Sequence, residues 1–517
     1  MARRVVAISP RGGIAAAALV LLLILAALGA VMSRAEVGAG LSPSDWAALR
    51  FTVVQAVLSA VISTICAVPV ARALARRRFF GRGVLVTLLG APFILPVIVA
   101  VIGLLTVFGR AGWFNLALGA VGLPPVSIYG LHGVVLAHVF FNLPLATRLL
   151  LQGWQTLPSE RFRLAAQLRL TPFAAFRAIE WPMLRQVLPG VAALIFVICL
   201  TSFAVALTLG GGPRATTVEL AIYQAFQFDF DLGRAARLSL AQLVLAGGAA
   251  LIALWVIPPV SLGSGLDRPV QRWERGGTAR ALDTICITLA AGFLLLPLSA
   301  ILWRGTWGLA AVPPVVWKAA GQSIFVGCIS VVVLGVLALP MAGWIASSRR
   351  GGVEAIGLLG LSASPLMIGT GWFILIHPVA APATLALPVT ALVNALMALP
   401  FALRIMVPRL RDTVQDYGRL SATLGLRGWP LWRWVLLPRV RAQAGFAAGL
   451  TAALSMGDLG VIALFADQDR VTLPLQMYRL MGAYQMEAAA GAALILLTLA
   501  LGAFWICDKG GRWHAEA

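Results

Sequence analysis

One carboxylate stands in a stretch of the chain that is otherwise small or apolar. Asp458 lies in Ser455-Met-Gly-Asp-Leu-Gly460, between two glycines. An ionisable side chain in a long apolar segment is costly and marks a substrate or ion pathway by default. Asp458 could therefore face a cationic ligand. The commoner role of such a residue is to cap a helix that unwinds locally between the glycines.

A histidine and a serine are further candidates for the same pathway. His138 lies in another apolar stretch, four residues before Asn142. A buried, hydrogen-bonded histidine is the commoner state of such a residue, and a substrate contact is the alternative. Ser202 precedes Asp458 by 256 residues, the offset of a duplication described below.

Two tyrosines complete the candidate pathway. Tyr223 and Tyr478 each lie six residues after a threonine, Thr217 or Thr472. The shared spacing predicts a turn and a short helix against the outer mouth of the protein. Neither the four scattered histidines nor the five cysteines, which lack CxxC spacing, form a catalytic or metal-binding pattern. We therefore expect no catalytic residue, no metal and no disulfide.

A polar, Arg-rich stretch occurs twice. The first repeat segment is Leu143–Pro182 and the second repeat segment is Leu399–Pro438, at an ungapped offset of 256 residues (399 − 143). Arg163, Leu164 and Leu168 recur as Arg419, Leu420 and Leu424.

The repeat segments predict two short amphipathic helices joined by a turn. In the first, we expect a break at Pro158, a helix over residues 163–169, a turn at 171–172 and a helix over 173–179 that ends at Pro182. Pro438 would end the second copy. An interfacial linker is one interpretation. The fixed duplication favours a surface that binds a partner twice.

Composition indicates that most of the chain lies in lipid. Sixty per cent of the 517 residues are hydrophobic, 11% are charged, and the mean hydropathy is +0.92. The net charge of +21 comes from arginines in short runs between apolar segments. This is the positive-inside pattern of a membrane protein, and it disfavours nucleic acid as a partner.

Twelve apolar stretches are long enough to cross about 30 Å of hydrocarbon. An even number of spans, with Arg clusters after every second one, places both termini in the cytoplasm and makes the two halves parallel. The predicted spans are 14–32, 51–74, 85–108, 128–151, 187–209, 238–258, 281–303, 319–347, 354–377, 385–406, 443–465 and 487–507.

The spans predict a domain organisation of two repeats with added helices. Residues 1–50 hold an N-terminal cytoplasmic segment, the first span and an outer loop. Residues 51–258 form the first repeat and 318–507 the second. The remaining parts are a cytoplasmic linker (259–280), the seventh span with its outer loop (281–317) and a cytoplasmic tail (508–517).

The repeat segments resemble the "EAA loop" of permeases of ATP-binding-cassette importers. That motif places a glycine thirteen residues before a proline, as Gly425 and Pro438 do here. Three longer strings resemble the fused two-half permeases of thiamine and thiamine-diphosphate importers: GAPFILPVIVAVIGLLTVFGRAGW, GLHGVVLAHVFFNLPLATRLLLQ and LTLGGGPRATTVELAIYQAFQFDFD. The likeness spans nearly the whole chain and implies an all-α polytopic permease fold of the type I importer kind.

The resemblance implies that both repeat segments dock into a cytoplasmic ATPase. The motif's glutamate is arginine in both copies, and its glycine is Arg169 in the first. The resemblance therefore does not identify which charged group of the ATPase would face these arginines. The implied coupling residues are Arg163, Leu164, Ala165, Ala166, Leu168, Arg169, Phe176, Arg177 and Pro182, and Arg419, Leu420, Ser421, Ala422, Leu424, Gly425, Trp432, Arg433 and Pro438.

The chain itself has no ATP-binding motif. No GxxxxGK[ST] occurs, and the two lysines, Lys318 and Lys509, follow no such glycine pattern. ATP and Mg would therefore be bound by a separate, homodimeric ATPase, and a periplasmic binding protein would deliver the cargo. The implied location is the bacterial inner membrane, surrounded by lipid. A thiazolium cargo would give Asp458 a cation to face.

Two other functions remain open at this point. A ferric-iron importer permease would share the architecture, although the spans show no cluster of ligands for a hard cation. A twelve-span secondary transporter would also have parallel halves, but would need a coupling ion and more ionisable groups in the membrane.

Overall fold

Helices form every regular element that the structure describes. This computed structural model describes residues 10–35, 40–90, 92, 94–256, 277–348, 364–465 and 467–513. The prediction of an all-α polytopic protein is confirmed.

The described residues of the first half form twelve α-helices. They are α1 Pro10–Arg34, α2 Pro43–Arg76, α3 Arg82–Leu88, α4 Val97–Phe108, α5 Trp113–Ala120, α6 Leu131–Gln155, α7 Ser159–Gln167, α8 Pro172–Ala175, α9 Trp181–Leu200, α10 Ala204–Leu209, α11 Val218–Gln227 and α12 Leu232–Val256. A π-turn, Phe176–Glu180, joins α8 to α9.

The second half contains nine described α-helices. They are α13 Gly277–Gly308, α14 Pro314–Ser347, α15 Pro365–Ile376, α16 Ala386–Thr423, α17 Trp429–Leu431, α18 Leu437–Met456, α19 Gly460–Phe465, α20 Leu473–Gly482 and α21 Met486–Arg512. A π-turn, Trp432–Leu436, joins α17 to α18.

Within the described residues, eleven helical segments are long and apolar enough to cross a membrane. Twelve were predicted. The ninth predicted span, 354–377, lies partly outside the described residues, and its described part is the twelve-residue helix α15. Residues 259–276 of the predicted linker also lie outside them, as do the first nine and last four residues of the chain, His514 included.

The first helix of each half packs against the opposite half. Helix α1 lies along α14 and α15, and Gly371 approaches it so closely that a β-carbon there would stand 2.3 Å from the Ala27 carbonyl oxygen. Helix α13 lies along α2 and α4, where a β-carbon on Gly103 would stand 2.7 Å from the Pro297 carbonyl oxygen. These two crossings tie the halves together.

The same side-chain device positions both short helices that follow the predicted threonines. The Val218 N–H at the start of α11 donates to Thr52 Oγ1 of α2 at 2.9 Å. The Leu473 N–H at the start of α20 donates to Ser323 Oγ of α14 at 2.8 Å. Each hydroxyl satisfies a buried amide that has no partner inside its own helix. The short helices predicted at Thr217 and Thr472 are present.

The repeat segments run into the following spans without the predicted stop. The expectation that Pro182 and Pro438 end a helix is wrong. In each copy a π-turn precedes the proline, and the Trp181 and Leu437 amides donate to carbonyls five residues earlier. The wider turn accommodates proline, which has a bulky ring and cannot donate a backbone hydrogen bond. The break at Pro158 exists only in the first copy, since α16 continues to Thr423.

Candidate functional site

The two repeat segments present matched apolar surfaces. Leu164, Leu168 and Phe173 of the first copy correspond at the same offset to Leu420, Leu424 and Trp429 of the second. All six side chains are between 54% and 73% exposed. We call each group of three a tip surface. Large apolar side chains exposed at equivalent places in both copies are typical of an interaction site.

The other predicted coupling residues lie around the tip surfaces. Ala165 and Ser421 are buried beneath them, while Phe176 and Trp432 are partly buried and pack against the core. The exposed ones are Arg163, Ala166, Arg169, Arg177 and Pro182, with Arg419, Ala422, Gly425, Arg433 and Pro438.

The same left-handed turn lies within each tip surface, between its second leucine and its aromatic residue. Arg169 has a φ of +51° where Gly425 has +65°. In both copies the next amide donates back across the turn, from Leu170 to the Ala165 carbonyl at 3.0 Å and from Leu426 to the Ser421 carbonyl at 2.9 Å. This is the Schellman pattern that glycine normally closes. The first copy keeps the geometry although its glycine is replaced by arginine.

Arg169→Gly should stabilise the protein. A left-handed φ costs a non-glycine residue about 1–2 kcal/mol, and glycine loses about 0.5–1 kcal/mol of this to chain entropy. We therefore expect a net gain of roughly 0.5–1 kcal/mol, seen as a higher midpoint in thermal unfolding of the detergent-solubilised chain. Gly425→Ala, with no atom within 4 Å of its new β-carbon, should lower the midpoint. Equal midpoints for all three proteins would contradict the argument.

A second group of polar residues lies where two spans are interrupted. Helical structure stops at residues 201–203 and again at 457–459, at the duplication offset. Irregular backbone at this depth is tolerated where it lines a cavity or is buried in protein. Ser202 and Asp458 occupy the middle of these interruptions.

The structure brings His138 and Ser202 together in the first half. His138 Nε2 lies 2.8 Å from Ser202 Oγ, and its Nδ1 lies 3.3 Å from Ser59 Oγ. The histidine is buried and has a partner at each ring nitrogen. It is the hydrogen-bonded histidine that the sequence favoured.

The second half has an equivalent polar cluster around Asp458. Asn394 stands where His138 stands, and its Nδ2 donates to Ser455 Oγ at 3.1 Å. Ser455 Oγ lies 2.6 Å from Ser330 Oγ. Asp458 Oδ1 accepts the Gly460 amide at 3.2 Å, as a capping residue does, whereas its Oδ2 is buried without a hydrogen-bond partner among the described residues.

Sequence reasoning missed Asn394. It lies 256 residues after His138, so the duplication offset could have found it.

Tyr223 and Tyr478 come together at the opposite end from the tip surfaces. They line one cavity of about 150 Å³ with Gln224, Phe228 and the backbone of Gly211 and Gly212. Tyr223 also stacks edge-on against Phe203, beside the interruption in the fifth span, with ring centroids 5.3 Å apart. Tyr223 therefore connects the cavity to Phe203, the residue that follows Ser202.

Parallel repeats whose spans unwind at matched points define a polytopic all-α permease. The thiamine transport system permease protein ThiP of Escherichia coli (strain K12) is 40% identical to the chain over 484 residues, covering 90% of this chain and 89% of its own. The ThiP proteins of Salmonella typhimurium (39% identical; 98% and 97% covered) and Haemophilus influenzae (34%; 87% and 86%) are similar to it as well. The chain belongs to the family of thiamine transport system permeases. A search against protein-family models finds no match.

Proposed function

We propose that the chain is the membrane subunit of an ATP-driven, binding-protein-dependent importer of thiamine and its phosphate esters. The single observation that carries the coupling part is the pair of tip surfaces, exposed on both repeat segments at one constant offset. A homodimeric ATPase has two equal clefts, and one fused chain offers it two equal apolar tips. The family membership supports the cargo.

The proposed mechanism is alternating access. ATP draws the two ATPase subunits together, each moves one repeat segment, and the halves rock about the polar group at the interrupted spans. A substrate-binding protein delivers the cargo at the face that carries α11 and α20. In this arrangement both termini and both tip surfaces lie in the bacterial cytoplasm, and the chain spans the inner membrane.

Reconstitution tests the proposal. The chain is expressed with a candidate soluble P-loop ATPase from the same organism, purified as a complex and placed in liposomes that carry ATP inside. We expect labelled thiamine to enter only with ATP and binding protein, and unlabelled thiamine diphosphate to compete while ferric citrate does not. Uptake driven by a proton gradient without ATP would replace the proposal with a secondary transporter.

A further inference from the structure

At matched positions, the two repeat segments contact their halves through different chemistry. Helices α2 and α14 are both 34 residues long and correspond at an offset of 271 residues (314 − 43), with Pro69 and Pro340 as a matched pair. We call the π-turn at the end of each repeat segment, residues 176–180 or 432–436, its root. With the offset of 256 for the repeat segments, each position in contact at one root has a counterpart at the other.

An ionic cluster holds the root of the first segment. Glu180 is 1% exposed, and its carboxylate accepts from Arg72 Nε at 2.6 Å and from Arg72 Nη2 at 3.1 Å. Arg76 Nη2 adds a contact at 3.3 Å and Trp154 Nε1 one at 3.2 Å. The Arg72 guanidinium also lies 5.0 Å from the centre of the Phe176 ring. Helices α2 and α6 are thereby joined to the π-turn that begins α9.

An apolar cluster holds the root of the second segment. The counterparts of Arg72, Phe176 and Glu180 are Gly343, Trp432 and Leu436. A β-carbon on Gly343 would stand 2.5 Å from Trp432 Cζ2, so the larger indole fills the space that arginine occupies in the first half. Leu436 and Leu410, the counterpart of Trp154, are at most 1% exposed.

We propose that Glu180 is a positioning residue that fixes the first repeat segment through an ion pair whose carboxylate is buried, while apolar packing takes its place at the matched positions of the second. Removing one partner of a buried pair leaves an uncompensated charge, whereas replacing the whole cluster by well-packed apolar residues can be neutral. The inference rests on the proposed function only where it concerns coupling to the ATPase. The attachment itself is a property of this chain.

The first experiment measures the attachment without any ATPase. Spin labels are placed singly at Gln167→Cys and at Thr423→Cys, two exposed positions at the duplication offset, in a full chain whose five native cysteines are replaced. Glu180→Gln keeps the shape and an acceptor for Trp154, and Glu180→Leu removes both. We expect the label at 167 to reorient about threefold faster in both variants while the label at 423 is unchanged.

An exchange of five residues between the matched positions distinguishes loss of positioning from general destabilisation of the fold. The five changes Arg72→Gly, Arg76→Ser, Trp154→Leu, Phe176→Trp and Glu180→Leu give the first root the residues of the second. The label at 167 should return to within about 1.5-fold of its original mobility. Trp432→Ala should loosen the label at 423 and leave that at 167 unchanged.

The second experiment uses the complex with its ATPase in nanodiscs. Glu180→Leu should lower the ATPase rate stimulated by the binding protein about tenfold while the ATPase stays bound, and the five-residue exchange should recover most of it. A label at 167 that is unmoved by both Glu180 variants overturns the inference, as does an exchanged chain that stays loose or fails to fold. An original chain that binds no ATPase overturns the proposed function instead, whatever the labels show.

Discussion

Replacing Leu168 and Leu424 by aspartate together should abolish both ATPase binding and uptake. Both side chains are 62% exposed at the centres of the tip surfaces. Burying a leucine contributes about 1.5–3 kcal/mol, and a charge at the same place adds a desolvation penalty. Each single change should weaken binding about 100-fold, and the two together should leave no measurable complex.

Co-purification of the tagged chain with the ATPase, followed by thiamine uptake, measures this effect. The matched control is the pair Leu168→Met and Leu424→Met, which keeps an apolar side chain of similar volume and should retain the complex. Since the two surfaces are equivalent, the two single aspartate variants should weaken binding by similar factors. A doubly substituted chain that still retains its ATPase would show that docking occurs elsewhere.

Asp458→Asn should lower thiamine uptake about 10- to 100-fold, the effect of losing an interaction of roughly 1.4–3 kcal/mol with a charged group. Asparagine caps a helix as well as aspartate does, so the Gly460 amide keeps its acceptor. What the variant loses is the charge carried partly by the buried Oδ2. The amount of chain in the membrane should therefore not change.

Initial uptake rates, normalised to the amount of chain in the membrane, test this expectation. Ser202→Ala, at the equivalent position of the first half, removes a hydroxyl but no charge and should have a smaller effect. Asp458→Glu should restore part of the rate. Full uptake by Asp458→Asn would leave capping as the sole role of this carboxylate.

The sequence could predict the spans and the duplication because both are local patterns. Apolar length identified the helices, and one constant offset located Ser202, Asp458 and both repeat segments. The shared spacing of six residues after Thr217 and Thr472 placed Tyr223 and Tyr478 at equivalent sites, and the structure adds that they share one cavity. These conclusions needed no knowledge of which helices touch.

What the sequence could not supply depends on contacts between distant helices. Glu180 is an ordinary acid at the end of a repeat segment until α2 brings Arg72 against it. Pro182 has the usual signature of a helix stop, and only a π-turn, which has no recognised sequence pattern, allows the helix to continue. The left-handed turn at Arg169 could not be predicted because the glycine that normally marks such a turn is absent.

Both halves carry one surplus residue in their π-turns, at 176–180 and 432–436. A residue inserted into a regular α-helix would turn everything beyond it by about 100°, whereas a π-turn confines the surplus to one turn. Each tip surface therefore keeps the same orientation about the axis of the span that follows it. Because the π-turns lie at equivalent positions in both copies, both repeat segments join their spans with the same backbone geometry. The ionic and the apolar clusters are therefore two sets of side chains on one backbone geometry, and a fused chain can hold both because each half occurs once.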